Sequence, residues 1–356
     1  MEVRENIPIL ELTTMRLGGK ARFVLVVETP EDVKKAHDFA KERNLPTWFM
    51  GGGANTIGRD GGFDGVVILN KIKGIFVKHD GKVIPIKDFK GETDEAETEF
   101  VGMGGEVWDD FVKNTAELGY SGIEAMSAIP GTVGAAPVQN IGAYGQDLAQ
   151  VVTEVEVFDT EDGNFKVLKK HEMNLGYRCT RFNCGEDAGR FFVISVTVRL
   201  KKDQLKPPFY NSLQRKIDEN GETDFSPKNI RRLVTEIRES KLPDPELIAS
   251  AGSFFKNVYL DKAGADAAEA RGIPVWRNAD GTGKINSGWL IENCGLKGQE
   301  LYGFRISDKA ALVLINETAE SYNDLKKARQ KIIETVKEKF GYTIEQEPVE
   351  IGSNKE

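Results

Sequence analysis

Apolar residues recur along this chain in two periods, and the alternation between them outlines a protein of mixed helices and strands. Arg22-Phe-Val-Leu-Val-Val-Glu28 is a short apolar run that reads as a buried strand. Thr29-Pro30-Glu31-Asp32 supplies an N-cap, a proline suited to the first helical position and acids for the first turn, predicting a helix to about Asn44. Thr47-Trp-Phe-Met50 reads as the next strand and runs straight into Gly51-Gly52-Gly53-Ala54-Asn55-Thr56. Residues 65–70 and 75–77 read as further strands, and the charged stretch 82–99 as a solvated hairpin or insertion. A helix is predicted over roughly 107–118, with Trp108, Phe111, Val112 and Leu118 inward. Strands follow over 151–158 and 191–200.

The second half continues in the same manner. Ser226-Pro227 opens a basic amphipathic helix to about Ser240, most of whose charges read as a solvated face, and Lys241-Leu-Pro-Asp-Pro245 stops it. Residues 263–271 and 287–294 predict two short helices, and 311–315 a buried strand. The last helix runs from Ser321 to Phe340 with Leu325, Ala328, Ile332, Ile333, Val336 and Phe340 on one face, closed by Gly341.

Composition narrows the function more than the fold. At 356 residues, 40% apolar and 29% charged, the chain should form two or three ordinary globular domains. A net charge of −8 argues against a nucleic-acid surface, so an anionic substrate needs its own local cluster of Lys and Arg. Cys179, Cys184 and Cys294 give no even disulfide framework and no metal spacing. His37, His79 and His171 lie far apart, so neither a zinc site nor a histidine-based triad is expected. The N-terminus lacks the order of a signal peptide, and the reading is a cytoplasmic, reduced protein.

Two glycine-rich stretches carry the candidate chemistry. Ile129-Pro130-Gly131-Thr132-Val-Gly134-Ala135-Ala-Pro-Val-Gln139-Asn140-Ile-Gly142-Ala143-Tyr144-Gly145 has no ionisable group but the Tyr144 phenol. Glycine lets backbone approach a ligand closely, so the stretch reads as the wall of a flat cofactor or, equally, as a buried connector. The loop 51–56 can offer N–H groups to a diphosphate or be a tight turn; it is neither a Rossmann fingerprint nor a P-loop. Asn174-Leu-Gly-Tyr177-Arg178 is a turn with an arginine, and Pro207-Pro-Phe-Tyr210 a loop with a tyrosine. Ala251-Gly-Ser253-Phe-Phe-Lys256-Asn257 is not the nucleophile elbow of a hydrolase. Glu345, Glu347 and Glu350 alternate along the tail.

Together and in this order, these segments resemble the UDP-N-acetylenolpyruvoylglucosamine reductase family, in its long branch with a substrate-loop tyrosine. The resemblance implies a vanillyl-alcohol-oxidase-type α+β fold. FAD-binding subdomains would cover 1–72 (with the tail from about 344 to 356) and 73–240, and a C-terminal α+β substrate domain 241–343. It implies noncovalent FAD held by residues 51–56 (Gly51, Gly52, Gly53, Ala54, Asn55, Thr56). In the second stretch Ile129, Pro130, Gly131, Thr132, Gly134, Ala135, Gln139, Asn140, Gly142, Ala143, Tyr144 and Gly145 would line it. Hydride would pass from NADPH through FAD to the enolpyruvyl ether of a UDP-sugar, in peptidoglycan precursor synthesis. Arg178 would stabilise developing charge, Ser253 deliver the proton and Glu347, five residues before Gly352, act beside them; Glu350 is the other register. Tyr177, Tyr210, Lys241, Lys256 and Asn257 would hold the nucleotide, the loop tyrosine Tyr210 closing over its diphosphate. Ala54 and Pro348 stand where the family usually has Ser and Val. A monomer with no metal, nucleic acid or membrane partner is expected. Another FAD oxidoreductase on this scaffold, or a flavin-free nucleotide-sugar binder, are the competing readings.

Overall fold

The computed structural model describes residues 1–91 and 96–353. They divide into two compact units. The first comprises residues 1–7, 21–52 and 64–240; the second comprises 8–20, 53–63 and 241–356.

In the first unit the strand–helix–strand start forms as its sequence dictates. Strand Lys20–Val27 leads into helix Pro30–Glu42, whose N-cap Thr29 accepts the Asp32 N–H at 3.2 Å. Arg43 ends the helix and Asn44 takes positive φ, a conformation asparagine tolerates. Strand Thr47–Met50 then lies parallel to Phe63–Asn70 in a four-stranded sheet with Glu2–Pro8 and Lys20–Val27. Leu25, Val27, Val33, Ala36, Val66 and Ile68 pack against Phe158, Phe192 and Ile194 of a second sheet.

That second sheet is antiparallel and, among the described residues, six-stranded. Its order is Asn164–Lys169, Val152–Asp159, Phe191–Lys201, Glu97–Met103, Ile75–His79, Lys82–Pro85. The ends of the charged stretch 82–99 are therefore sheet strands; residues 92–95 lie outside the described residues. Helix Trp108–Glu117 buries Trp108, Phe111 and Val112 against the sheet, with Leu118 half-buried at its C-cap. A helix the sequence reading did not include, Asn211–Asn220, buries Leu213 and Ile217 and ends at Gly221 in the left-handed conformation. It packs on the face Ile230, Leu233, Val234 and Ile237 of helix Pro227–Lys241.

The second unit holds a four-stranded antiparallel sheet, Ser250–Ser253, Val313–Asn316, Phe304–Ile306, Glu300–Leu301, and a three-stranded one, Val258–Leu260, Gly283–Ile285, Val275–Arg277. The strand expected from Ala311 begins only at Val313, because the Val313 N–H closes a turn onto the Ala310 carbonyl. Helix Tyr322–Phe340 is capped by the Ser321 side chain and by Gly341, and Leu325, Ala328, Ile332 and Val336 face the core. The tail strand Val349–Ile351 pairs in parallel with Thr56–Gly58.

Candidate active site

The boundary between the units falls within the first glycine loop, after Gly52. In the first unit Gly51 and Gly52 lie directly on the second glycine-rich stretch. A Cβ on Gly51 would come 2.2 Å from the Thr132 Oγ1, and one on Gly52 3.2 Å from the Gly131 Cα. Thr132 is buried, and its hydroxyl has no protein partner. The Gly131 carbonyl accepts from Trp108 and Val133 donates to Glu106, which anchors the stretch from one side. The amides of Gly131 and Thr132 donate no backbone hydrogen bond among the described residues. Gly134 sits against Gly104, where a Cβ would meet a carbonyl at 2.8 Å.

The rest of the stretch is shaped by its own backbone. Val133–Ala135 is a single 3-10 turn, and Gly142–Ala143 pairs with Gln146–Asp147. Asn140 and Tyr144 both take positive φ, which costs energy for residues with a Cβ and concentrates at functional sites. The Asn140 amide is spent on the protein: its oxygen accepts the Ala149 N–H at 2.9 Å and its nitrogen reaches the Gly176 carbonyl at 3.4 Å. Ile129, Gln139, Gly142 and Ala143 are half-buried, while Pro130, Ala135 and Gly145 are exposed.

Arg178 belongs to the same unit. It too has positive φ, and its guanidinium donates to the Asn140 carbonyl at 3.4 Å and lies 5.5 Å from the centre of the Tyr177 ring. The turn beneath it is fixed by Gly176 N–H to Cys179 O, Arg181 N–H to Met173 O and the Thr180 hydroxyl to Val138 O. Cys179 and Cys184 are joined in a disulfide, with Cα atoms 5.6 Å apart. This corrects the expectation of three reduced thiols; Cys294 alone is free. The reason is local: the Cys184 N–H closes a turn onto the Thr180 carbonyl, which brings the Cα atoms within bridging range.

Tyrosines gather beside this arginine. The Tyr144 and Tyr210 rings meet edge-on at 5.6 Å, with Tyr210 capping helix Asn211–Asn220. Burial raises the pKa of both phenols; the neighbouring Tyr144 and Tyr177 raise that of Tyr210 further, and Arg238 only partly offsets the rise at Tyr144. Arg238, read from the sequence as one charge of a solvated face, donates to the Ala128 carbonyl at 3.2 Å and stands near the Tyr144 phenol, whose pKa it lowers. The missed signal is its position: Arg238 continues the i, i+4 row from the buried Ile230 and Val234.

In the second unit the remainder of the first loop is held by its carbonyls. Gly53 O accepts from Thr14 N–H, Ala54 O from the Thr14 hydroxyl and Asn55 O from Val349 N–H. Gly53 requires glycine: φ is +64°, and a Cβ would lie 1.9 Å from the Leu12 carbonyl. The amides of Gly53 and Ala54 donate no backbone hydrogen bond among the described residues, and Thr56 is already buried in a strand.

The same unit brings Ser253 and the tail together. Ser253 ends the strand Ser250–Ser253 after an irregular step at Gly252, whose φ is +67°. Beyond it, the Glu347 N–H donates to the Phe254 carbonyl at 2.9 Å and the Lys256 N–H to the Glu345 carbonyl at 2.8 Å. Ser253 and Glu347 are half-buried above the buried Phe254 and Phe255. The Lys256 carbonyl accepts from the Ser287 hydroxyl, and Asn257 Oδ1 accepts the Ser287 N–H at 3.2 Å, fixing both residues to the start of helix Ser287–Asn293. Lys241 is exposed. Glu350, the alternative register, is occupied otherwise: it binds Arg59 and Arg329 at 2.6 Å and the Tyr322 hydroxyl at 2.7 Å. Burial opposes its charge, but the bonds from Tyr322, Arg59 and Arg329 outweigh it and hold the carboxyl below its usual range. Among the described residues no cluster of His, Cys, Asp and Glu could hold a metal, and no helix is long and apolar enough to cross a membrane.

Along nearly its whole length the chain is similar to known proteins. Residues 21–169 match the model of the FAD binding domain, and residues 244–351 that of the UDP-N-acetylenolpyruvoylglucosamine reductase C-terminal domain. A UDP-N-acetylenolpyruvoylglucosamine reductase of Burkholderia orbicola (strain MC0-3) is 36% identical over 347 residues, covering 96% of this chain and 95% of that protein. One of Neisseria gonorrhoeae (strain ATCC 700825 / FA 1090) is 34% identical over 354 residues, 97% and 96% of the two chains. The crystal structure of the Thermus caldophilus reductase superposes with a TM-score of 0.64 at 23% identity, over 98% of this chain and 100% of that one, and shows the shared α+β fold.

Proposed function

This chain belongs to the UDP-N-acetylenolpyruvoylglucosamine reductase family, and from that premise we propose how its residues carry out the reaction. It is an FAD-dependent oxidoreductase that reduces the enolpyruvyl ether of UDP-N-acetylglucosamine to UDP-N-acetylmuramate. FAD, when bound, relays hydride from the donor to the substrate. The residues present fit such a cofactor: two runs of undonated amides, at Gly53–Ala54 and Gly131–Thr132, and a buried Thr132 hydroxyl without a protein partner. The donor is NADPH. Residues 1–72 with the tail, and 73–240, form the FAD-binding part, and 241–343 the substrate domain. The enzyme works in the cytoplasm as a monomer, with no nucleic-acid or membrane partner.

Arg178 binds the substrate carboxylate, where charge builds as hydride arrives; its permanent planar cation can stabilise that charge through two donors. Ser253 gives its proton to the neighbouring carbon, and Glu347 is the hydrogen-bonding partner at the same group. Tyr177, Tyr210, Lys241, Lys256 and Asn257 hold the nucleotide. The observation that supports this reading is the backbone pairing of residues 254–256 with 345–347, which brings the segment following Ser253 against the part of the tail that includes Glu347. Anaerobic NADPH should bleach the flavin absorbance, and the enolpyruvyl nucleotide should restore it. A flavin that stays oxidised with NADPH, or stays reduced with the nucleotide, refutes the assignment.

A further inference from the structure

We propose that Arg238 is a substrate-binding residue for this reaction, gripping a phosphoryl oxygen of the substrate diphosphate beside the Tyr144–Tyr210 pair. The inference rests on the family reading and adds to it a residue outside the expected site. Arg238 projects from helix Pro227–Lys241 at the edge of its buried face and is neither fully buried nor exposed. Its hydrogen bond is to a backbone carbonyl, Ala128 O at 3.2 Å, and its other polar neighbour is a phenol, Tyr144. Neither neutralises its charge, since burial keeps the Tyr144 phenol protonated.

The nearest carboxylate is already committed. Both oxygens of Asp109 bind Arg231, at 2.5 and 2.7 Å, and one also accepts the Ala128 N–H. A recessed guanidinium without an anion of its own is costly, because burial opposes its charge. An anion from outside relieves the cost. The forked donors of arginine match phosphoryl oxygens, and the neighbouring Tyr144, whose ring meets that of Tyr210 edge-on, brings an uncharged hydroxyl. Tyr210 is the loop tyrosine that the family reading assigns to the diphosphate, so the substrate is the source of the phosphate.

Arg238→Met and Arg238→Lys, purified as FAD holoenzymes, test this by calorimetric titration with UDP-N-acetylmuramate, UDP and uridine. Arg238→Met should weaken the first two by about 10- to 100-fold and leave uridine unchanged, because only a charge-assisted bond to phosphate is lost. Arg238→Lys should show an intermediate loss, and in turnover the substrate KM should rise more than kcat falls. Equal affinity for UDP in wild type and both variants overturns the proposal, as does a loss confined to FAD retention or NADPH. If Arg238→Met fails to retain FAD, Arg238→Lys and Tyr144→Phe decide it by the same UDP-to-uridine comparison. A wild-type protein that binds none of the uridine nucleotides sinks the family reading itself, which is a separate outcome.

Discussion

The role proposed for Ser253 asks a single hydroxyl to act as an acid. A serine is a weak acid, and it can donate only to a strongly basic carbon in a site that excludes water. Its strand end, on two buried phenylalanines and paired with the tail, supplies the rigidity. Ser253→Ala removes a single oxygen, so folding and FAD content should persist. Stopped-flow absorbance should show reduction by NADPH near its normal rate and reoxidation by the enolpyruvyl substrate slowed about 10²-fold or more. Equal slowing of both phases would make Ser253 a packing residue. Asp159, by contrast, is wholly enclosed, and Arg190 and Lys166 hold it ionised. The Arg190 bond lowers its pKa, burial opposes and Lys166 assists, with the net result well below the usual range. The unfolded chain takes up this proton near pH 4 and the folded one only at lower pH, so the stabilisation is present above about pH 4 and lost as pH falls. Asp159→Asn should cost about 1.5–3 kcal/mol at neutral pH and flatten the acid limb of a denaturant-stability profile. An unchanged limb would contradict the pairing.

At the scale of elements, the glycine cradle is two loops whose backbones touch. Gly51 is required by its neighbour rather than by its own conformation, since an added Cβ would collide with the Thr132 hydroxyl. Gly51→Ala should therefore lower FAD occupancy, read from the ratio of flavin to protein absorbance. Adding Thr132→Ala removes the colliding atom and should restore part of it. Full occupancy in the single variant would show that the loops separate freely. The Arg178 turn depends on the same stretch: Asn140 clamps it through a side chain to Gly176 and a carbonyl to the guanidinium. The proposed cofactor wall and the Arg178 turn are thus one piece of structure within the first unit.

At the scale of the whole molecule, the FAD-binding reading predicts a ligand-dependent stability. Neither glycine-rich stretch contains Cys or His, so acid precipitation should release intact FAD. The apoprotein should melt lower than the holoprotein, and added FAD should raise its Tm in step with concentration. A colourless protein whose Tm ignores FAD would contradict the assignment.

Local pattern sufficed wherever an element answers to its own residues. The Thr29 cap, strand Thr47–Met50, the buried face of helix Tyr322–Phe340 and its Gly341 terminus all follow from periodicity and caps. The ordered motifs around Gly51, Gly131, Arg178 and Ser253 were legible too, because short segments keep their identity in any fold. What depends on distant partners was not. Glu347 and Glu350 alternate alike along the tail, and only the ion pairs of Glu350 with Arg59 and Arg329 set them apart. The Cys179–Cys184 bond needs a turn that a count of three cysteines does not reveal. Arg238 looked like one more surface charge until the tertiary packing put Ala128 and Tyr144 around it. The physical reason is common to all three. A side chain's charge state and partners are set by whatever the fold brings within a few ångströms, and those neighbours lie far away along the chain or around a turn that local periodicity does not encode.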